Sequence, residues 1–173
     1  MKPYLSLPLL AALSLGLPAA ANAAEVTGAV GVTGQGAMTY RASLDLAWEQ
    51  QWLQSETGHL GGYWDAGYTY WEGGAIASGA HSLSFSPVFV YEFANFTYKP
   101  FVEFGIGAAF FSKTDVGDHR LGSSFNFEDR LGVGLKLSDT QKVGLRALHY
   151  SNAGLQSPNE GIESYSLYYG QAF

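Results

Sequence analysis

The stretch Val143-Gly144-Leu145-Arg146-Ala147-Leu148-His149-Tyr150-Ser151 decides how the rest of the chain is read. With the two-residue period of a strand, Val143, Leu145, Ala147, His149 and Ser151 share one face. Gly144, Arg146, Leu148 and Tyr150 share the other. The first face starts as hydrocarbon and ends in an imidazole and a hydroxyl. The second carries a guanidinium near its middle. A soluble strand would turn the hydrocarbon to a core and the charge to water. A membrane barrel strand does the reverse, with hydrocarbon toward lipid and charge inside. In that second case His149 and Ser151 continue a lipid-facing row, and they become the anomaly to explain.

The chain of 173 residues opens with the marks of a secretory signal over 1–23. Lys2 gives a positive start, Leu5 to Leu17 an apolar run, and Ala21-Asn22-Ala23 a small-residue cleavage site. The run is broken by Pro8, Ser14 and Gly16 and is too short to span a bilayer as a helix. Residues 24–173 then form a single domain. That part has eight Lys and Arg against 15 Asp and Glu, a net charge of −7. Such a balance excludes nucleic acid as a partner and gives no electrostatic hold on an anionic surface. With no cysteine in the chain, thiol chemistry and disulfide closure are both excluded. Many aromatics and glycines with few charges suit outer-membrane barrels and secreted β-sandwiches alike.

Alternation dominates after residue 23, and eight segments carry it. Each has roughly the ten residues of a tilted membrane strand. They cover about Ala24 to Thr33, Met38 to Gln50, Leu60 to Trp71, His81 to Phe93, Tyr98 to Phe110, Phe125 to Leu137, Val143 to Ser151 and Glu163 to Phe173. The fourth is the cleanest, with Leu83, Phe85, Pro87, Phe89, Tyr91 and Phe93 opposing Ser82, Ser84, Ser86, Val88, Val90 and Glu92. The faces opposite the apolar rows collect Arg41, Asp45, Asp65, Glu92, Glu103, Glu128, Arg130, Lys136 and Arg146. A sandwich core could not take these charges, because each desolvated ion costs several kcal/mol. As the solvent face of a sandwich they would be ordinary. The eight-strand count, the leader, the aromatic strand ends and a terminal Phe173 in the apolar row favour the barrel.

The expected fold is therefore all-β, an eight-stranded antiparallel transmembrane β-barrel of the bacterial outer membrane. Its interior would be just filled by side chains, here a nearly balanced plug of charge. Pro87 removes a ladder donor in mid-strand, and a closed barrel has no edge on which to hide it, so a bulge or a local opening is expected there. The short connections Ala94 to Thr97 and Ser138 to Gln141 belong to the periplasmic side. The longer Glu72 to Ala80 and Ser112 to Gly122 belong outside, which puts both termini in the periplasm. His149 and Ser151 then reach the outer rim.

His149 and Ser151 lie two residues apart on one face, with Cα atoms roughly 6.6 Å apart. An imidazole nitrogen can span that gap to a seryl oxygen. Glu163 starts the next antiparallel strand with the same outward parity and can reach the other imidazole nitrogen. These are the parts of a Ser-His-acid site: nucleophile, base, and a carboxylate that fixes the tautomer. The plainer alternative is a polar rim at the membrane surface. Polar groups facing lipid are costly unless they are used, which favours the first reading. Asp115, Asp118 and His119 suit a hydrophilic loop better than a cation site. His59 and His81, at strand ends, read as solvated and without partners. The glycines near 105–107 lack the helix and lysine of a phosphate loop.

Five runs now point to a known family. They are Gly-Tyr-Trp-Asp-Ala-Gly-Tyr-Thr-Tyr-Trp (62–71), Phe-Val-Tyr-Glu-Phe (89–93), Gly-Ser-Ser-Phe-Asn-Phe-Glu-Asp-Arg (122–130), His-Tyr-Ser-Asn-Ala-Gly-Leu (149–155) and Pro-Asn-Glu-Gly-Ile-Glu-Ser-Tyr-Ser (158–166). Together they resemble the PagL family of lipid A 3-O-deacylases over essentially all of 24–173. The resemblance implies that His149 is base, Ser151 nucleophile and Glu163 orienting acid. It implies Asn152 and the Gly154 amide as oxyanion donors, and Phe127 as an aromatic flanking the site. No cofactor or metal is implied. The implied partner is lipid A or lipopolysaccharide, met in the outer membrane by an integral barrel, and a homo-oligomer is compatible with this. Ala147, just beneath the three residues on the outer face, would touch the acyl chain. Two rivals remain: a non-enzymatic barrel serving as adhesin or structural protein, and a lipid acyltransferase.

Overall fold

The computed structural model describes residues 24–173, and the leader expected over 1–23 lies outside the described residues. Among the described residues there are eleven strands: β1 (Ala24–Val32), β2 (Met38–Ala47), β3 (Trp52–Ser55), β4 (Gly58–Trp71), β5 (Ala80–Phe93), β6 (Lys99–Phe111), β7 (Asp115–Val116), β8 (His119–Arg120), β9 (Phe125–Lys136), β10 (Gln141–Ser151) and β11 (Ile162–Ala172). Eight are long. Each pairs antiparallel with its neighbours, and β1 pairs with both β2 and β11, which closes the barrel. The expected segments match these eight with ends shifted by a few residues. Closure matters because a strand edge in lipid would leave its amides and carbonyls unpaired.

The apolar rows face outward. Leu83, Phe85, Ile106, Leu131, Val133, Leu145 and Leu167 are exposed, while the intervening Ser82, Ser84, Glu103, Arg130, Arg146 and Ser166 are buried. Inside, the side chains form layers. At the outer end, Trp71, Phe111, Leu148, Tyr150 and Ile162 pack with Val116 and Leu121, which the small β7–β8 hairpin folds over the mouth. Sequence periodicity did not reveal that hairpin, because strands of two residues carry no period.

Below this cap lies the charge. Arg130 contacts Asp65 at 2.9 Å and Glu128 at 2.8 Å, and Arg41 pairs with Asp65. Arg146 donates to Glu103 at 2.6 Å, and Glu103 also accepts from the Tyr63 and Tyr168 hydroxyls. Several bonds to each buried carboxylate offset its desolvation, as a buried ion must have. Lys142, absent from the expected interior set, is buried and bonds Glu25 at 2.6 Å. Lys136 instead sits half exposed at the opposite end of the barrel, paired with Glu92. A cavity of about 210 Å³ opens there, lined in part by His59, Glu92 and Lys142.

Two connections depart from expectation. The link from β2 to β4 is not a plain turn, because β3 folds back along β4 with a register shift between Trp52 and Ser55. Strand two ends at Ala47 rather than near Gln50, and Trp48 lies against Gly62, where a Cβ would sit 2.2 Å from its ring. At Pro87 the outcome is a local opening rather than a bulge, since the β5–β6 register is the same above and below it.

Candidate active site

β10 carries His149 and Ser151 outward, with Tyr150 pointing inward between them. Tyr150 is fully buried, donates to Glu128 at 2.7 Å and packs edge-on against Trp71 and Phe111. The outer site is thus fixed from inside by an aromatic anchor one residue away. In register, His149 lies opposite Glu163 on β11 and Asp129 on β9, and Ser151 lies opposite Phe127.

His149 Nδ1 and Glu163 Oε1 are 2.9 Å apart. With the carboxylate accepting from Nδ1–H, Nε2 is left as the basic nitrogen. Ser151 is partly exposed, and its hydroxyl makes no hydrogen bond among the described residues. The structure therefore joins two of the three expected partners, with the third two residues along the same row. Gly161 bounds the imidazole on its other edge. It has φ +68°, and a Cβ there would meet His149 Cε1 at 2.9 Å.

The segment after Ser151 turns sharply, with positive φ at Ala153 (+52°) and Gly154 (+78°). Asn152 is fully buried, and its side chain holds that turn together. Its Oδ1 accepts from the Gly154 amide at 2.9 Å and the Gln156 amide at 3.4 Å. Its Nδ2 donates to the Leu121 and Gln156 carbonyls, and its own amide donates to Asn159 Oδ1. Both expected oxyanion donors, Asn152 and the Gly154 amide, are thus engaged in hydrogen bonds of their own. Among the amides of 152–156, only that of Ala153 has no partner among the described residues.

A groove of about 600 Å³ starts at this site and crosses the strands. One wall is the cross-strand row Glu163, His149, Asp129, Ile106 and Pro87. The other is Tyr165, Ala147, Leu131, Phe104 and Phe89, each in register with the next. A second shallow groove runs down from Ala147 between Val133, Leu145, Tyr165 and Leu167. Ala147 stands where the two meet. Asp129, which periodicity placed silently in an apolar row, is exposed beside His149 without a hydrogen bond to it among the described residues.

The other candidates resolve differently. Asp118 accepts the Ala75 amide, and His119 bonds Gln35, so these side chains are used between loops. No cluster of His, Cys, Asp and Glu able to hold a metal occurs among the described residues. His81 is not without a partner as expected: its Nδ1 is 2.7 Å from the Tyr68 hydroxyl.

The chain is similar to known proteins in sequence and in fold. The family model "Lipid A 3-O-deacylase (PagL)" matches residues 36–172. A lipid A deacylase PagL of Pseudomonas aeruginosa is 63% identical over 169 residues, covering 98% of each chain. A lipid A deacylase PagL of Bordetella bronchiseptica is 32% identical over 179 residues, covering 96% of each. The crystal structure of the outer membrane enzyme PagL superposes with a TM-score of 0.83 at 64% identity, covering 85% of this chain and 98% of that one. The closed wall of outward-facing hydrocarbon is thus that of an outer-membrane protein, and the chain belongs to the lipid A 3-O-deacylase (PagL) family.

Proposed function

We propose that the protein hydrolyses the 3-linked acyl ester of lipid A in the outer leaflet and releases a 3-hydroxy fatty acid, with Ser151, His149 and Glu163 as its triad. The observation that carries this is the 2.9 Å bond between His149 and Glu163 on the outer wall, with Ser151 next along the row, at the head of an apolar groove. The leader expected over 1–23 and the single barrel over 24–173 accord with an outer-membrane destination.

Ser151 Oγ attacks the ester carbonyl while His149 Nε2 takes its proton. Catalytic hydrogen bonds are often longer in a free enzyme than in its substrate complex. Glu163 holds the tautomer and stabilises the imidazolium. Collapse of the tetrahedral intermediate expels the sugar oxygen, which takes the proton back from His149. Water, activated in the same way, then cleaves the acyl-enzyme and frees the fatty acid.

The developing oxyanion is met at the turn 152–154. The Ala153 amide is available there, the Gly154 amide can exchange its bond to Asn152 for one to the oxyanion, and Asn152 acts by shaping the turn. Phe127, opposite Ser151, flanks the sugar-proximal side. The acyl chain lies against Ala147 and the apolar wall, so the lipid reacts without leaving the bilayer. Neither cofactor nor metal has a part in these steps.

Mass spectrometry of lipid A from cells expressing the protein should show loss of one 3-hydroxyacyl group and the matching free acid. Cells expressing Ser151→Ala should show neither. Appearance of the chain on another acceptor would make the enzyme a transferase. Unchanged lipid A with the folded wild-type barrel would refute the proposal.

A further inference from the structure

β5 and β6 pair at Phe85↔Ala108 and again at Val88↔Gly105. Between these, Ser86 and Pro87 form no ladder pair with Gly107 and Ile106, which the register places opposite them. On its other side Pro87 keeps its pairing with Trp64 of β4. The break therefore faces β6. Proline has no N–H, so the Ile106 carbonyl looks toward a partner with nothing to donate.

A main-chain carbonyl without a donor is costly at membrane depth. This one lies where Ile106 is exposed on the outer wall, and both Ile106 and Pro87 line the groove that starts at His149. His149, Asp129 and Ile106 occupy one cross-strand row. Two strand spacings separate the first from the last, roughly 10 Å. Beyond the Glu163 and Asp129 carboxylates at its head, the groove thus holds a main-chain acceptor without a ladder partner, at a fixed distance from the base.

We propose that the Ile106 carbonyl is a recognition subsite for a hydroxyl on a neighbouring acyl chain, one that remains with the sugar. This rests on the esterase reading above. The hydroxyl of the departing chain sits beside the scissile carbonyl and is too near Ser151 to serve. A hydroxyl on the neighbouring amide-linked chain, several bonds farther on, lies at the right remove. Any other residue at position 87 would bring an N–H and close the ladder, so Pro87 is what keeps the acceptor open.

The test uses the full barrel in mixed micelles with three synthetic glucosamine lipids that share one scissile 3-hydroxyacyl ester. The first has a hydroxylated, amide-linked neighbouring chain. The second lacks that hydroxyl, and the third has an ester in place of the amide. Loss of the hydroxyl should raise KM about three- to tenfold, the worth of one hydrogen bond, while the ester-linked lipid, which keeps the hydroxyl, should hold the KM of the first. Pro87→Ala restores an N–H toward Ile106, so the ratio of kcat/KM between the lipids should collapse toward one. The urea midpoint of the barrel should rise with it. Equal KM values for all three lipids in the wild type overturn the subsite, as does a ratio that survives in a folded Pro87→Ala. If that variant does not fold, the wild-type comparison alone decides. Failure to cleave any of the three overturns the esterase reading and this one together.

Discussion

Gly161 leaves the edge of the His149 ring just enough room: a Cβ at that position would stand 2.9 Å from Cε1 and 3.5 Å from Nε2. Its φ of +68° also disfavours any side chain. Gly161→Ala should therefore displace the basic nitrogen while the barrel stays closed. A shift of this kind can cost about a hundredfold in rate. The check is kcat beside the heat-modifiable migration that reports an intact barrel, and undiminished kcat would refute it.

Two carboxylates flank His149 in register, Glu163 and Asp129, and only Glu163 is bonded to it. Glu163→Gln should lower kcat, by up to about 10⁴-fold where tautomer control is lost. Glu163→Ala should still cost less than Ser151→Ala or His149→Asn. Asp129→Asn should keep most of the activity. Measured rates in the reverse order would exchange the two roles.

The Asn152 side chain makes four hydrogen bonds that define the turn after Ser151. Asn152→Ala leaves buried donors and acceptors without partners, at about 1–3 kcal/mol each. The expected result is faster amide exchange at Gly154 and Gln156 together with loss of activity. The exchange of strand amides in the barrel should hold steady. Unaltered exchange in the turn with activity lost would instead make the side chain a direct oxyanion donor.

Ala147 stands at the meeting of the two grooves on the outer wall. Ala147→Trp should change the range of acyl lengths accepted. Gly144 is different, because a Cβ there would meet the Val133 carbonyl at 2.6 Å and the Tyr168 ring at 2.8 Å. Gly144→Val should impair folding. A folded Gly144→Val without activity, beside an Ala147→Trp indifferent to chain length, would place the substrate inside the barrel.

Glu103 accepts from Arg146, Tyr63 and Tyr168 in the interior. Glu103→Ala strands a buried guanidinium and should cost about 3–5 kcal/mol in urea unfolding. Replacing Glu103 and Arg146 together by apolar residues should cost much less. Equal losses would mean that the pair itself, rather than the orphaned charge, carries the stability.

The barrel could be read from alternation because the wall is set by a strict two-residue period, and His149 and Glu163 came together by parity alone. Parity says nothing of loops, so Gly161, whose role depends on a fold-back against His149, stayed silent. Asn152 was legible as a member of a motif, but not as the clasp of a turn, since its partner Leu121 lies on a distant hairpin. Asp129 was hidden by Phe127, Leu131 and Val133, which give its row an apolar average. Lys142 escaped because its strand begins at a turn, before a period is established.

The filled interior has a kinetic consequence. With Trp71, Phe111, Tyr150 and Leu121 packed across the outer mouth, the proposed catalytic residues are presented sideways, to neighbours in the same leaflet. Encounters with substrate are then lateral collisions in a two-dimensional fluid, and the rate follows the mole fraction of lipid A in the surface rather than its concentration in the bulk. Inert lipid added to a fixed amount of substrate and enzyme dilutes the surface without altering either total. Turnover should fall in proportion, as it would not for an enzyme drawing its substrate from solution.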